Sequence, residues 1–259
     1  MRKQPHSNWW KEAFDLLYLE TDARSVEDPA QTAREVDLYL KLGGWKKGEP
    51  LLDLCGGHGR HTLELLARGW GPLVLLDYSP ALLLEAKKRA RQRALHPIIL
   101  RGEAQHLPLK DHAFAGVLLV GNSFGYSPRD KDNLTLLKQA HRVIQPKGRL
   151  VLEVANREFI EKGLPPTSRH QTPSGLTVER FRRLEPPLLI CRERVIHSMK
   201  GSIKEHSYCL RLYYREEVEK MLKEVGFTKV KSHHLLSPHP PGEDRGTMEG
   251  RLLFVGWKA

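Results

Sequence analysis

The stretch Leu51-Leu52-Asp53-Leu54-Cys55-Gly56-Gly57-His58-Gly59-Arg60 constrains this chain most. A short apolar strand runs into a glycine-rich turn and straight on into a helix. Glycines let backbone approach a ligand closely, because no Cβ intervenes. The helix start offers orphan N–H donors and the positive end of a dipole, which suits a carboxylate or phosphate. Eighteen residues past Gly59, the next apolar run ends in Asp77, a carboxylate placed to accept hydrogen bonds from ribose hydroxyls. Together they describe a nucleoside-bearing ligand at the carboxyl ends of the first two strands. A glycine turn can also be a tight strand-to-helix connection, with Asp77 as a helix cap. A dinucleotide site is the nearer rival, but it wants a third glycine three residues after Gly59, where Thr62 stands.

The same pattern repeats downstream. Strands are expected at Leu51–Leu54, Leu73–Leu76, Ile98–Leu100, Gly116–Val120 and Arg149–Val154. Helices are expected at Arg60–Ala67, from the Ser79-Pro80 cap to about Ala94, and from about Asp132 to Ile144 with Leu134, Leu137, His141 and Ile144 on one face. Such alternation predicts an α/β fold: an open, Rossmann-like, doubly wound, mostly parallel seven-stranded sheet covered on both faces. Before it, one helix over 9–19 and another from Asp28-Pro29 to Gly43-Gly44 form an N-terminal cap. After Asn156, prolines at 165, 166, 173, 186 and 187 punctuate β-rich segments near 176–184, 189–198 and 204–213, read as an antiparallel β add-on. A helix at Arg215–Val225, strands at 228–236 and 251–257, and a loop over 237–250 close the chain. With 259 residues, we expect one domain: a helical cap over 1–44, a core over 45–156, a β-rich substrate cover over 157–214 and a closing helix and strand pair over 215–259.

Composition narrows the function. Apolar content of 40% and charged content of 28% are those of a soluble globular chain. The longest apolar runs, such as Ala115–Gly121, are far short of the ~18 residues of a membrane helix. Arg2 and Lys3 are followed by polar residues, so no secretory leader is expected. Three scattered cysteines give neither a disulfide framework nor a zinc pattern, which suits a cytoplasmic protein with no metal. The excess of 42 basic over 31 acidic residues, +11, can steer anions or nucleic acid toward the surface. It concentrates in Leu84–Arg101 and Arg157–Tyr214, each of which also reads as a solvated face.

At this point the chain resembles the class I S-adenosylmethionine-dependent methyltransferases. After the glycine turn, four motifs follow in the family's order: Leu76-Asp77-Tyr78-Ser79-Pro80, Gly102-Glu103-Ala104-Gln105-His106-Leu107-Pro108, Gly121-Asn122-Ser123-Phe124-Gly125-Tyr126, and Gln145-Pro146-Lys147-Gly148. Gly121–Phe124 and Asn156-Arg157-Glu158 are similar to glycine N-methyltransferase-like small-molecule enzymes. Cys55 and Glu103 depart from the family's glycine and aspartate.

The resemblance implies S-adenosyl-L-methionine as cofactor. Cys55, Gly57 and Gly59 would face its methionine part, and Asp53 its ammonium together with the Val120 carbonyl. Asp77 would hold the ribose, Tyr78 would lie on the adenine, and Glu103 and Ala104 would read the adenine's polar edge. Arg34 or Tyr18 would meet the carboxylate. Asn122 and Tyr126 lie where the methyl emerges and are expected to position the acceptor, while His61 is expected to cap or pack. His206, Tyr208, Tyr213 and Tyr214 are further cavity candidates. A small acceptor, anionic or amino-acid-like, is expected under some of Arg180, Arg182, Arg192, Arg194 and Arg211. RNA is the second choice of substrate, and a non-catalytic cofactor-binding protein the third reading. Oligomeric state is open.

Overall fold

The structure, a computed structural model, describes residues 8–236 and 245–259. Two short helices, α1 (Trp10–Ala13) and α2 (Leu16–Thr21), replace the single helix expected over 9–19. The break falls at Asp15, whose carboxylate accepts the backbone N–H of Tyr18 and so starts a new helix. After α3 (Ala23–Val26), α4 (Pro29–Gly43) begins as its sequence predicts. Asp28 accepts the N–H groups of Ala30 and Gln31, Pro29 takes the first turn, and Gly44 closes the helix at φ 57°.

Strands and helices then alternate: β1 (Leu51–Leu54), α5 (Arg60–Ala67), β2 (Leu73–Asp77), α6 (Pro80–Gln92), β3 (Ile98–Arg101), β4 (Phe114–Leu119), α7 (Asp130–Val143) and β5 (Ile144–Ala155). The apolar face of α7 is one residue out from the expected one. Asn133, Leu136, Leu137, Ala140 and Val143 are buried. The helix starts two residues earlier than expected, and Ile144 already belongs to β5. Besides α3, two elements go beyond the expectation: α8 (Arg157–Gly163), capped by Asn156, and the polar strand β6 (Thr167–Gln171). Then come β7 (Thr177–Glu185), β8 (Leu188–His197), β9 (Gly201–Arg211), α9 (Arg215–Glu224), β10 (Phe227–Leu236) and β11 (Gly250–Lys258). Of the loop expected over 237–250, residues 237–244 lie outside the described residues, and Gly246–Met248 form a short 3-10 turn.

Among the described residues the strands form two sheets. One is seven-stranded in the order β10-β11-β5-β4-β1-β2-β3, parallel except for β11, which runs antiparallel to β5 and β10. Strand order reverses between β1 and β4. At such a reversal the helices leave toward opposite faces and open a crevice above the carboxyl ends. The other is a four-stranded antiparallel sheet, β6-β7-β8-β9. It is tied back to the first: the Gly125 carbonyl accepts the Arg211 N–H, and Ala155, Ile160, Leu189, Leu210 and Leu212 share one buried cluster. The N-terminal helices touch both sheets. Trp9 and Ala13 pack on Cys209 of β9, while the Phe14 carbonyl accepts the Ser79 hydroxyl at the start of α6.

Candidate active site

The turn after β1 is held by β2. The N–H groups of Cys55 and Gly56 reach the Leu76 carbonyl, and Gly57 N–H donates to Asp77 Oδ2 at 2.9 Å. A Cβ at Gly56 would stand 2.6 Å from the Asp53 carboxylate and 2.4 Å from Leu75. Glycine is what lets the turn lie so close to its own strand. Cys55 adopts a left-handed φ of 60°, a backbone region that favours glycine, and keeps it with a side chain. Gly59 starts α5 at φ 77°.

Asp53, the residue before the last of β1, is buried. Its Oδ2 accepts the Thr62 hydroxyl at 2.7 Å, and its Oδ1 is buried with no hydrogen-bond partner. A buried carboxylate oxygen left open is costly unless a donor arrives. Thr62, which breaks the dinucleotide fingerprint, thus also orients Asp53. Asp77 Oδ1 accepts the Ser79 N–H at 2.8 Å. Burial pushes the Asp77 carboxyl above its ordinary range, against the pull of the Ser79 and Gly57 N–H groups. His58, in the same turn, is neutral: burial, with Arg89 and Arg60 nearby, pushes it down to about 3. Glu27, 3.8 Å away, therefore faces an uncharged ring.

These groups line one cleft at the carboxyl ends of β1, β2 and β4. Its walls include Asp53, Cys55, Gly57, Asp77, Tyr78, Glu103, Ala104 and Val120, all expected from the sequence, and also Tyr18 and Tyr126. The N-terminal helices roof it. Trp10 meets Tyr78 edge-on at 5.0 Å, and Lys11 Nζ reaches Glu103 at 2.6 Å. Gly59 lies at the helix start and outside the wall.

Arg34 does not belong there: it is exposed on α4, outside the cleft. Arg60, the first residue of α5, is the arginine that lines the cleft, held by Glu35 at 2.5 Å and Thr32 at 3.0 Å. No propensity signal distinguished the two arginines. Arg60 is set apart only by its position at the turn. His61, expected to cap or pack, is buried with its Nε2 3.0 Å from Glu35 and also lines the cleft.

A second chamber opens beside the first, toward the four-stranded sheet. The two share walls at Phe14, Tyr18, Asp22, Gly121, Tyr126 and Met248. Asn122 lines the second chamber: its amide donates to the Thr247 carbonyl at 3.0 Å, and its Oδ1 is buried without a partner. Tyr126 stacks on Phe14 with ring centroids 5.5 Å apart. Burial pushes its phenol well above the ordinary value, so it stays protonated. His206 and Tyr208 line this chamber too. Tyr213 does not: it is buried in the main core, donating to Asp130 at 2.9 Å, and Tyr214 is exposed at the start of α9. Sequence reasoning missed Trp9, Phe14 and Met248, which reach the chambers only through tertiary packing.

The arginines expected to grip an anionic acceptor are engaged elsewhere. Arg180 is buried between Glu193 (2.7 Å) and Asp22 (3.0 Å). Arg194 pairs with Glu179, and Arg211 with Asp130 and Glu217. Arg192 lies over Phe181 and 3.7 Å from Glu205, and Arg182 donates to the Pro165 carbonyl. None of the five lines either chamber. These guanidiniums are engaged with carboxylates, a carbonyl and a ring, which overturns the arginine-held anion.

Strand order thus defines a Rossmann-like fold with a cleft at the carboxyl ends of its strands. A methyltransferase domain family matches residues 51–148. A glycine/sarcosine N-methyltransferase from Parasynechococcus marenigrum (strain WH8102) is 25% identical over 213 residues, covering 81% of this chain and 73% of that one. A demethylmenaquinone methyltransferase from Bacillus velezensis is 30% identical over 152 residues, covering 56% of this chain and 63% of that one. A solved S-adenosylmethionine-dependent methyltransferase from Clostridium acetobutylicum ATCC 824 shares the fold at a TM-score of 0.73, with 15% identity over 94% of this chain and 96% of that one. Residues 51–148 thus match a methyltransferase domain, and the likenesses together support a class I S-adenosylmethionine-dependent methyltransferase, an enzyme with S-adenosylmethionine as cofactor.

Proposed function

We propose that the first chamber holds S-adenosylmethionine and the second holds a small-molecule acceptor with a nitrogen or oxygen nucleophile. One observation carries this reading: the two chambers meet at a shared wall, and each is lined by a residue whose buried acceptor atom has no donor, Asp53 Oδ1 for the first and Asn122 Oδ1 for the second. Asp53 Oδ1 suits the cofactor's ammonium, Arg60 its carboxylate, Asp77 its ribose, and Tyr78, Glu103 and Ala104 its adenine. When bound, the cofactor supplies an electrophilic sulfonium methyl. The protein contributes alignment and dryness, since holding two reactants in line can supply several kcal/mol. Phe14, Tyr18 and Tyr126 wall off water, and Asn122 and Tyr126 position the acceptor. A protonated phenol at Tyr126 donates or accepts a hydrogen bond and is no base at neutral pH.

Residues 157–214 serve, in this reading, as a cover over the acceptor within a single domain. The relatives act on glycine and sarcosine or on demethylmenaquinone, as their names state. That breadth supports a small molecule without choosing one. Among the described residues, no helix is long and apolar enough to cross a membrane.

The test incubates the full chain with methyl-labelled cofactor and, separately, a small-molecule extract and total RNA. Label is expected in low-molecular-weight products. Label confined to RNA, with micromolar RNA affinity persisting at physiological salt, would replace this reading with an RNA methyltransferase.

A further inference from the structure

The second chamber carries a charge pattern that its aromatic walls do not need. β7, β8 and β9 place Arg180, Glu193 and His206 in one cross-strand row, because Arg180 pairs in register with Glu193 and Glu193 with His206. Arg180 spends Nε on Glu193 Oε2 and Nη2 on Asp22 Oδ2. One cation thus faces two carboxylates, and each carboxylate keeps a second oxygen. Lys204, also in the chamber wall, is answered by Asp15 at 2.7 Å. The balance left to Asp22, Glu193, Arg180, Lys204 and Asp15 is one negative charge.

The unsatisfied polar atoms point the same way. Asn122 Oδ1 is buried with its amide committed to Thr247, and His206 Nδ1 is buried with no partner. Burial, with Lys204 beside it, lowers the His206 pKa, so the ring is neutral at neutral pH. The chamber walls therefore combine an unpaired amide oxygen, a net negative charge and aromatic rings from Trp9, Phe14, Tyr18, Tyr126 and Tyr208. Buried acceptors want donors, and aromatic faces attract cations.

Building on the reading of this chamber as the acceptor site, we propose that the acceptor is a small amine on a flat apolar skeleton, recognised as its ammonium by Glu193, Asp22 and Asn122. The ammonium passes a proton to Glu193, and the freed nitrogen lone pair then takes the methyl group as the C–S bond breaks and S-adenosylhomocysteine leaves with the electron pair. A carboxylate-bearing acceptor would meet Glu193 and Asp22 head-on. A neutral alcohol would leave the negative charge unanswered.

The test titrates the full chain, saturated with S-adenosylhomocysteine, with benzylamine, benzyl alcohol and benzoate near neutral pH, following binding by nuclear magnetic resonance. Benzylammonium is expected to bind at least tenfold more tightly than benzyl alcohol, with benzoate weakest. Glu193→Gln should lower benzylammonium affinity about tenfold and leave benzyl alcohol within twofold. Equal affinity for amine and alcohol, a preference for benzoate, or binding of none of the three would overturn the proposal. The ranking is read on the unaltered protein, so it decides even if the variant does not fold. Failure is also distinguishable from failure of methyl transfer itself. A methylated alcohol or acid from the extract would leave the enzyme's reaction standing and remove only the amine.

Discussion

Replacing Arg251 with leucine is expected to cost the fold about 3–5 kcal/mol, because it strands two buried carboxylates. Arg251 is 1% exposed on β11. Its Nη1 donates to Glu153 at 2.6 Å and its Nη2 to Glu35 at 3.0 Å. Glu153 also accepts the Tyr39 hydroxyl at 2.6 Å and the Gly121 N–H at 2.8 Å, and Glu35 also holds Arg60 and His61. Burial alone would push the Glu35 carboxyl up, but His61, Arg60 and Arg251 together hold it well below the ordinary range. A carboxyl depressed on folding contributes stability above its unfolded pKa and loses it as pH falls toward the folded one. Urea melts at neutral pH should show the full loss, and the variant should lose less further stability on acidification than the wild type. Because Gly121 and Arg60 both line the cleft proposed for the cofactor, cofactor affinity should fall as well. A loss under about 1 kcal/mol would mean that the carboxylates relax into water or neutralise, and the network would lose its place in this account.

Asp77→Ala is expected to weaken S-adenosylhomocysteine binding by more than a hundredfold. Two hydrogen bonds from ribose hydroxyls to a carboxylate are lost, each worth roughly 1.5–3 kcal/mol. The variant also frees the N–H groups of Gly57 and Ser79, which Asp77 now ties together. Asp77→Asn, which keeps some of these contacts, should fall between. In the wild type the Asp77 carboxyl sits above its ordinary value of 3.8, so affinity should start to fall earlier on acidification than a solvated aspartate would dictate. Calorimetry across pH on folded protein checks both statements. Unchanged affinity in Asp77→Ala would remove Asp77 from the ribose.

Much of this architecture was legible along the chain. The apolar runs of β1, β2 and β4 are flanked by glycines, and α4 and α6 open on Asp28-Pro29 and Ser79-Pro80. These are local signals, and local structure follows them. β6, Thr-Ser-Arg-His-Gln, has no apolar alternation, because it is an edge strand with half-exposed residues on one side only. The break between α1 and α2 hangs on one cap at Asp15, inside a periodicity that continues across it.

The site divides in the same way. Asp53, Asp77 and Tyr78 sit on or beside the motif that names them. Arg60 in place of Arg34, the pairing of Arg180 with Asp22, and the meeting of Arg251 with Glu35 and Glu153 join residues far apart in sequence. Charge counted along the sequence suggested a basic acceptor site. In three dimensions those arginines are engaged with other groups and none lines the chamber, whose wall carries Asp22, Glu193, Asn122, His206, Lys204 and aromatic rings.

The central claim is that the crevice at the carboxyl ends of β1, β2 and β4 is built for S-adenosylmethionine and its product rather than for a dinucleotide. Calorimetric titration of the full chain with S-adenosylhomocysteine, and separately with NAD, tests it most directly. Saturable one-site binding of S-adenosylhomocysteine with no heat from NAD is the predicted result. Saturable binding of NAD with none of S-adenosylhomocysteine would contradict it.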